Sequence, residues 1–156
     1  MSTDETKIQW LYPPNFSGTY DETDELDAVK GHRRHIVHCT YYAADTEGFT
    51  DNIQIKRKDL RTVFGNIPSK LIIDKIEWDV QGLTLIISYN NINDEEVKVL
   101  YTGQGVVDYS RFGGFVPEDD GTTVANDDYA GDIVFTVNNV AAADSYDVVL
   151  HVRTHE

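Results

Sequence analysis

Cysteine and methionine each appear once in these 156 residues, and proline four times. A lone Cys39 excludes an intrachain disulfide and a cysteine zinc cluster, and with them the small secreted scaffolds that depend on bridges. No run approaches the roughly eighteen apolar residues of a membrane helix. The opening MSTDETKIQW has no basic segment followed by an apolar one, so the expectation is a chain made and used as a soluble protein, exported only by lysis or assembly. Positive charge is also scarce: 13 basic residues against 27 acidic give a formal charge of −14. Such a chain repels nucleic-acid phosphates and anionic membranes, so neither is expected as a direct partner.

What remains is apolar and aromatic material arranged with a period of two. Hydrophobic residues make up 40% of the chain, with nine Tyr and two Trp, enough to offset the entropy of ordering one domain. HIVHCTYY places Val37, Cys39 and Tyr41 on one face, DIVFTV places Ile133, Phe135 and Val137, and SYDVVLHVRT places Tyr146, Val148, Leu150 and Val152. KLIIDKIEWDV and LTLIISYNN flank QG, the spacing of a β-hairpin turning at Gly82, with Ile72, Ile76, Trp78 and Val80 sharing one face. RKDLRTVFGNIPS is the one place for a short helical turn. GQG and FGG in the loop-rich stretch 103–131 read as turns. Counting segments predicts an all-β domain of about eight antiparallel strands over residues 35–156, a single jelly-roll-like β-sandwich. Residues 1–34 read as an N-terminal arm or extended segment.

Candidate chemistry is thin. HRRHIVHCTYY gathers three histidines and the cysteine, but alternation sends His35 and His38 to opposite faces, His32 precedes the strand, and no HExxH or CxxC spacing completes a zinc site. Cys39 shares its face with Val37 and Tyr41, the setting of a small buried residue and not of an activated thiolate. There is no GxSxG elbow, and the glycine pairs do not lead into GK[ST]. The acidic stretch 118–132 lacks the DxDxDG order of an EF-hand, which leaves loop calcium as a minor alternative to solvated charge. No catalytic residue, metal or cofactor is expected. The residues set out for contact with a partner are Trp10, Tyr12 and Phe16 in the arm, the basic Lys56, Arg57 and Lys58, and the loop aromatics Tyr109, Phe112 and Phe115.

The blocks IDKIEWDVQGLTLIISYN, VLYTGQGVVDYSRFGGFVPEDDG, YAGDIVFTV and DSYDVVLHVRT, in that order, resemble small all-β virion structural proteins of tailed bacteriophages over residues 71–153. The resemblance implies a non-enzymatic component made in the host cytoplasm and carried on the capsid surface. It would be a decoration or cement protein, a homo-trimer or other homo-oligomer bound to the major capsid protein or other virion subunits. A tail or connector component is the nearest alternative. A carbohydrate- or receptor-binding sandwich using Tyr109, Phe112, Phe115 and Tyr129 is the next, and a small hydrolase comes last.

Overall fold

In a computed structural model describing residues 5–13, 33–62, 66–90, 99–116 and 131–155, seven strands join one antiparallel sheet. They are β1 (Glu5–Tyr12), β2 (Arg34–Tyr42), β3 (Phe49–Ile55), β4 (Lys70–Tyr89), β5 (Val99–Asp108), β6 (Ile133–Asn138) and β7 (Ser145–His155). The helical pieces among the described residues are single 3-10 turns at Arg57–Asp59, inside the predicted segment, and at Ser110–Phe112. The all-β, antiparallel class read from the period of two is the class the chain adopts. Strands run in the order β1-β2-β7-β4-β6-β3, and β5 lies on the other edge of β4. The chain's start, expected as an arm or extended segment, is extended, but it lies along β2 as an outer strand of the sheet.

One strand organises the rest. Extended, the 20 residues of β4 would span about 66 Å, too long for a domain of this size, whose radius of gyration is about 15 Å. It therefore bends. Ile73 and Tyr89, 16 residues apart and about 53 Å apart if extended, meet: the Ile73 N–H donates to Tyr89 Oη at 2.9 Å. That hydroxyl in turn donates to the Phe115 carbonyl. The bend falls at Gly82, whose φ of +86° lies in the left-handed region. Gly82 was expected to turn a hairpin, yet the segments on its two sides do not pair with each other. Lys70–Gln81 pair with β7 and Thr84–Tyr89 with β6, so β6 and β7 run end to end along one edge of β4. β5 follows the other edge round the same corner, and its ladder slips between Val80 and Leu85, where Gly103 has a φ of +64°. The GQG read as a turn is thus the bent middle of a strand.

Folding one sheet on itself creates the facing layers that a sandwich builds from two sheets. The core between them contains Val37, Cys39 and Tyr41 from β2, Ile133, Phe135 and Val137 from β6, and Tyr146, Val148, Leu150 and Val152 from β7, all buried as alternation predicted. Near the corner Tyr146 stacks on Tyr41 at 5.3 Å between centroids and meets Phe135 edge-on at 5.6 Å, contacts that add to area burial. Parity changes twice in β4, at the Gly82 corner, where the inner set passes from Val80 to Leu83, and once before it. A bulge between Ile73 and Lys75 shifts the ladder by a residue, so Ile73, and not Ile72, lies with Ile76 on the inner face. Ile72 is buried on the other side beneath Gly114, where a Cβ would come within 2.2 Å of Ile72 Cγ2.

Candidate binding cleft on the outer sheet face

The outer faces of β2, β7, β4 and β5 carry the residues that alternate with the core set. Register places Tyr12 beside Ile36, Ile36 beside His151, His151 beside Lys75, and Lys75 beside Asp108. These five side chains form one row across five strands, about 19 Å long at the usual strand spacing. All five line a cleft of about 580 Å³, together with Arg33, Arg34, Asp74 and Ser110. Its volume lies within the range of small-molecule sites.

The backbone around the cleft is well pinned. The Thr154 N–H donates to the Arg33 carbonyl at 2.8 Å, fixing the entry to β2. The Tyr109 N–H donates to the carbonyl of the bulged Asp74 at 2.7 Å, and so fixes the end of β5. Arg153 Nε reaches Asp74 Oδ2 at 3.2 Å, and its terminal nitrogen donates to the Gly113 carbonyl at 3.1 Å. Asp108 Oδ1 accepts the Ser110 hydroxyl at 2.5 Å and the Ser110 N–H at 2.9 Å, which hold its carboxyl below the usual carboxylate range. Burial, aided by the Lys75 ammonium, holds the His151 imidazole below its ordinary value, so it is neutral at pH 7 and both donates and accepts. Lys75 Nζ contacts Glu77 at 3.2 Å. Arg33 and Arg34 are exposed and belong to none of the ion pairs among the described residues.

The residues that first drew attention lie elsewhere. His35 is on the inner face with Trp10 edge-on at 5.6 Å, whereas His38 is on the outer face with Nε2 at 2.6 Å from Asp147 Oδ1. Among the described residues no group of three His, Cys, Asp or Glu side chains gathers to hold a metal. Cys39 is buried, and burial pushes its thiol up to about 12. His32, Phe16, Tyr129 and most of the acidic stretch 118–132 lie outside the described residues. The described end of that stretch, Asp132, is fully buried: Oδ1 accepts the Arg57 N–H at 2.7 Å while Oδ2 has no hydrogen-bond partner.

The expected contact residues separate into two groups. Arg57 is buried and donates from its terminal nitrogen to the Pro68 carbonyl at 2.9 Å, so it is withdrawn from the surface while Lys56 and Lys58 stay exposed. Tyr109 and Phe115 are partly buried, with rings 5.6 Å apart, and Phe115 lies against Tyr89 at 5.3 Å. Trp10 is partly buried as well. Of the expected aromatics that are described, Phe112, 83% exposed, and Tyr12, 43% exposed, are at the surface. The cleft itself was missed because its charged members stand far apart in the chain. The available signal was the recurrence of charged or polar residues at the outward positions of strands already recognised.

Comparison with family models, with curated proteins and with solved structures finds no match to this chain.

Proposed function

We propose that the chain is a non-enzymatic structural subunit of a tailed-phage particle, a decoration or cement protein bound across joints between capsid subunits. The observation that carries this reading is β1. Among the described residues it pairs with β2 and with no other strand, it is exposed at every residue but Trp10, and it presents Ile8 (38% exposed) and Leu11 (46%). An outer strand bearing exposed apolar side chains is a liability for a free protein and an asset for one that is covered in an assembly. The resemblance of residues 71–153 to virion proteins supports the same reading. So does the charge of −14, which disfavours a position against packaged nucleic acid and suits the outer surface. In this role the protein buries surface on two neighbouring capsid subunits at once, so opening the shell must also break those contacts.

The first test is particle composition. Density-banded particles from a lysate carrying this coding sequence should contain the chain in fixed proportion to the major capsid protein, and banded particles without it would overturn the proposal. The second test is the double substitution Ile8→Asp with Leu11→Asp, which alters exposed positions and leaves the core intact. It should strip the protein from particles at unchanged thermal stability, and full occupancy would remove β1 from the account. Particle maps decide between capsid and the alternative tail or connector position. A carbohydrate-binding reading is supported by a separate observation, the cleft, whose lining does not include the loop aromatics Tyr109, Phe112 and Phe115.

A further inference from the structure

We infer that the outer-face cleft is a binding site for an acidic oligosaccharide, a short chain of sugars that bears carboxylates of the uronic-acid kind. Three observations lead there. First, Arg33 and Arg34 are exposed at the cleft, and among the described residues neither takes part in an ion pair. Two adjacent guanidinium groups exposed at a cleft suit a carboxylate from outside, which each can grip through two parallel N–H bonds. Second, the row below them supplies what the rest of a sugar needs. The exposed Tyr12 ring at one end offers a flat face to the C–H side of a pyranose, Ile36 is an apolar step, and the neutral His151 and the ionised Asp108 exchange hydrogen bonds with hydroxyls. Third, the row is about 19 Å long, the reach of a few sugar units and more than one small anion would use.

The same wall argues against other anions. Asp74 and Asp108 stand among the cations, so a phosphate, with nearly two charges concentrated on one group, meets repulsion that a single carboxylate among hydroxyls avoids. An acidic peptide is disfavoured by backbone chemistry. The floor is the face of β2, β7 and β4, each hydrogen-bonded on both edges, so an extended peptide finds no ladder to join. The inference is independent of a virion role, and its failure would leave that proposal standing.

The test is titration of the isotopically labelled full chain with trigalacturonate, followed by backbone amide shifts. The expected result is saturable shifts confined to Arg33–Ile36, Asp74, Lys75, Asp108–Ser110 and His151, with affinity between about 10 µM and 1 mM. The methyl ester of the same sugar, which keeps the hydroxyls and loses the charge, should bind at least about tenfold more weakly. Arg33→Gln with Arg34→Gln should weaken binding by a similar factor. Tyr12→Ser, at an exposed position on the other end of the row, should do so independently. Absence of saturation at about 10 mM sugar overturns the site. So does displacement of the sugar by equal concentrations of inorganic phosphate or of an aspartate-rich heptapeptide, or an affinity untouched by both variants.

Discussion

Asp132 shows what a single residue contributes to this fold. Its carboxyl is buried beside the Arg57 backbone, and burial raises it from 3.8 to about 7, against the opposing effects of the Arg57 N–H and guanidinium. Folded protein therefore holds this proton over a range where the unfolded chain has lost it. From this group stability is full below about pH 4, falls as pH rises from there to about 7, and levels off above, a change of roughly 4 kcal/mol at most. Asp132→Asn keeps an acceptor for the Arg57 N–H and removes the titration. Stability from denaturant melts at pH 5 to 8 should fall by up to about 3 kcal/mol for the natural chain, the part of that change lying in this window, and be flatter for the variant. Equal slopes would place the dependence on other groups. Cys39 makes the opposite point about reactivity. With its thiol held near 12, it should not react with a disulfide reagent at pH 8 until denaturant unfolds the chain, which separates a core residue from a nucleophile by a single absorbance trace.

At the scale of elements, the corner of β4 decides the architecture. A Cβ on Gly82 would fall 2.2 Å from Asp144 Oδ1, and the carboxylate cannot easily retreat because its other oxygen accepts the Ala141 N–H at 2.8 Å. Gly82→Ala also places a side chain at positive φ, so together it should cost about 2–4 kcal/mol, read as a lower urea midpoint. Across the ladder, Trp78 lies against Gly105, where an added Cβ would stand 2.6 Å from the indole, while its Nε1 donates to the Thr102 carbonyl at 3.1 Å. Gly105→Ala should cost about 1–3 kcal/mol by the same measurement. These two glycines explain what the sequence made legible and what it did not. A glycine between two alternating segments announces positive φ, and Gly82 has it, though as the bend of one strand and not the turn of a hairpin. Whether its flanks pair with each other or with distant strands depends on β6 and β7, which lie more than 40 residues onward. Local pattern contains no trace of that choice. The bulge at Asp74 is similar: alternation was read correctly from Ile76 onward, and one extra residue reversed it for Ile72 and Ile73. The core faces of β2, β6 and β7 were readable because nothing interrupts their period.

For the whole molecule, charge is the dominant property, and its effect has a definite sign. Among the described residues the ion pairs Lys75–Glu77 and Arg153–Asp74 are partly exposed, and each contributes at most about 1 kcal/mol. Against them stands the mutual repulsion of a net −14, which grows when the chain is compacted from an expanded coil to a domain with a radius near 15 Å. Salt weakens both, but repulsion acts over longer distances and so loses more when the Debye length shrinks from about 30 Å at 0.01 M to about 8 Å at 0.15 M. Added NaCl should therefore raise the melting temperature over this range by several degrees, the change that about 1 kcal/mol produces in a domain of this size. A chain stabilised chiefly by its surface ion pairs would melt lower instead. Repeating the scan with CaCl2 at matched ionic strength isolates specific binding from screening. Screening alone gives the same rise for both salts, whereas a calcium site in the acidic stretch 118–132 adds a further increment that saturates with calcium and is removed by a chelator.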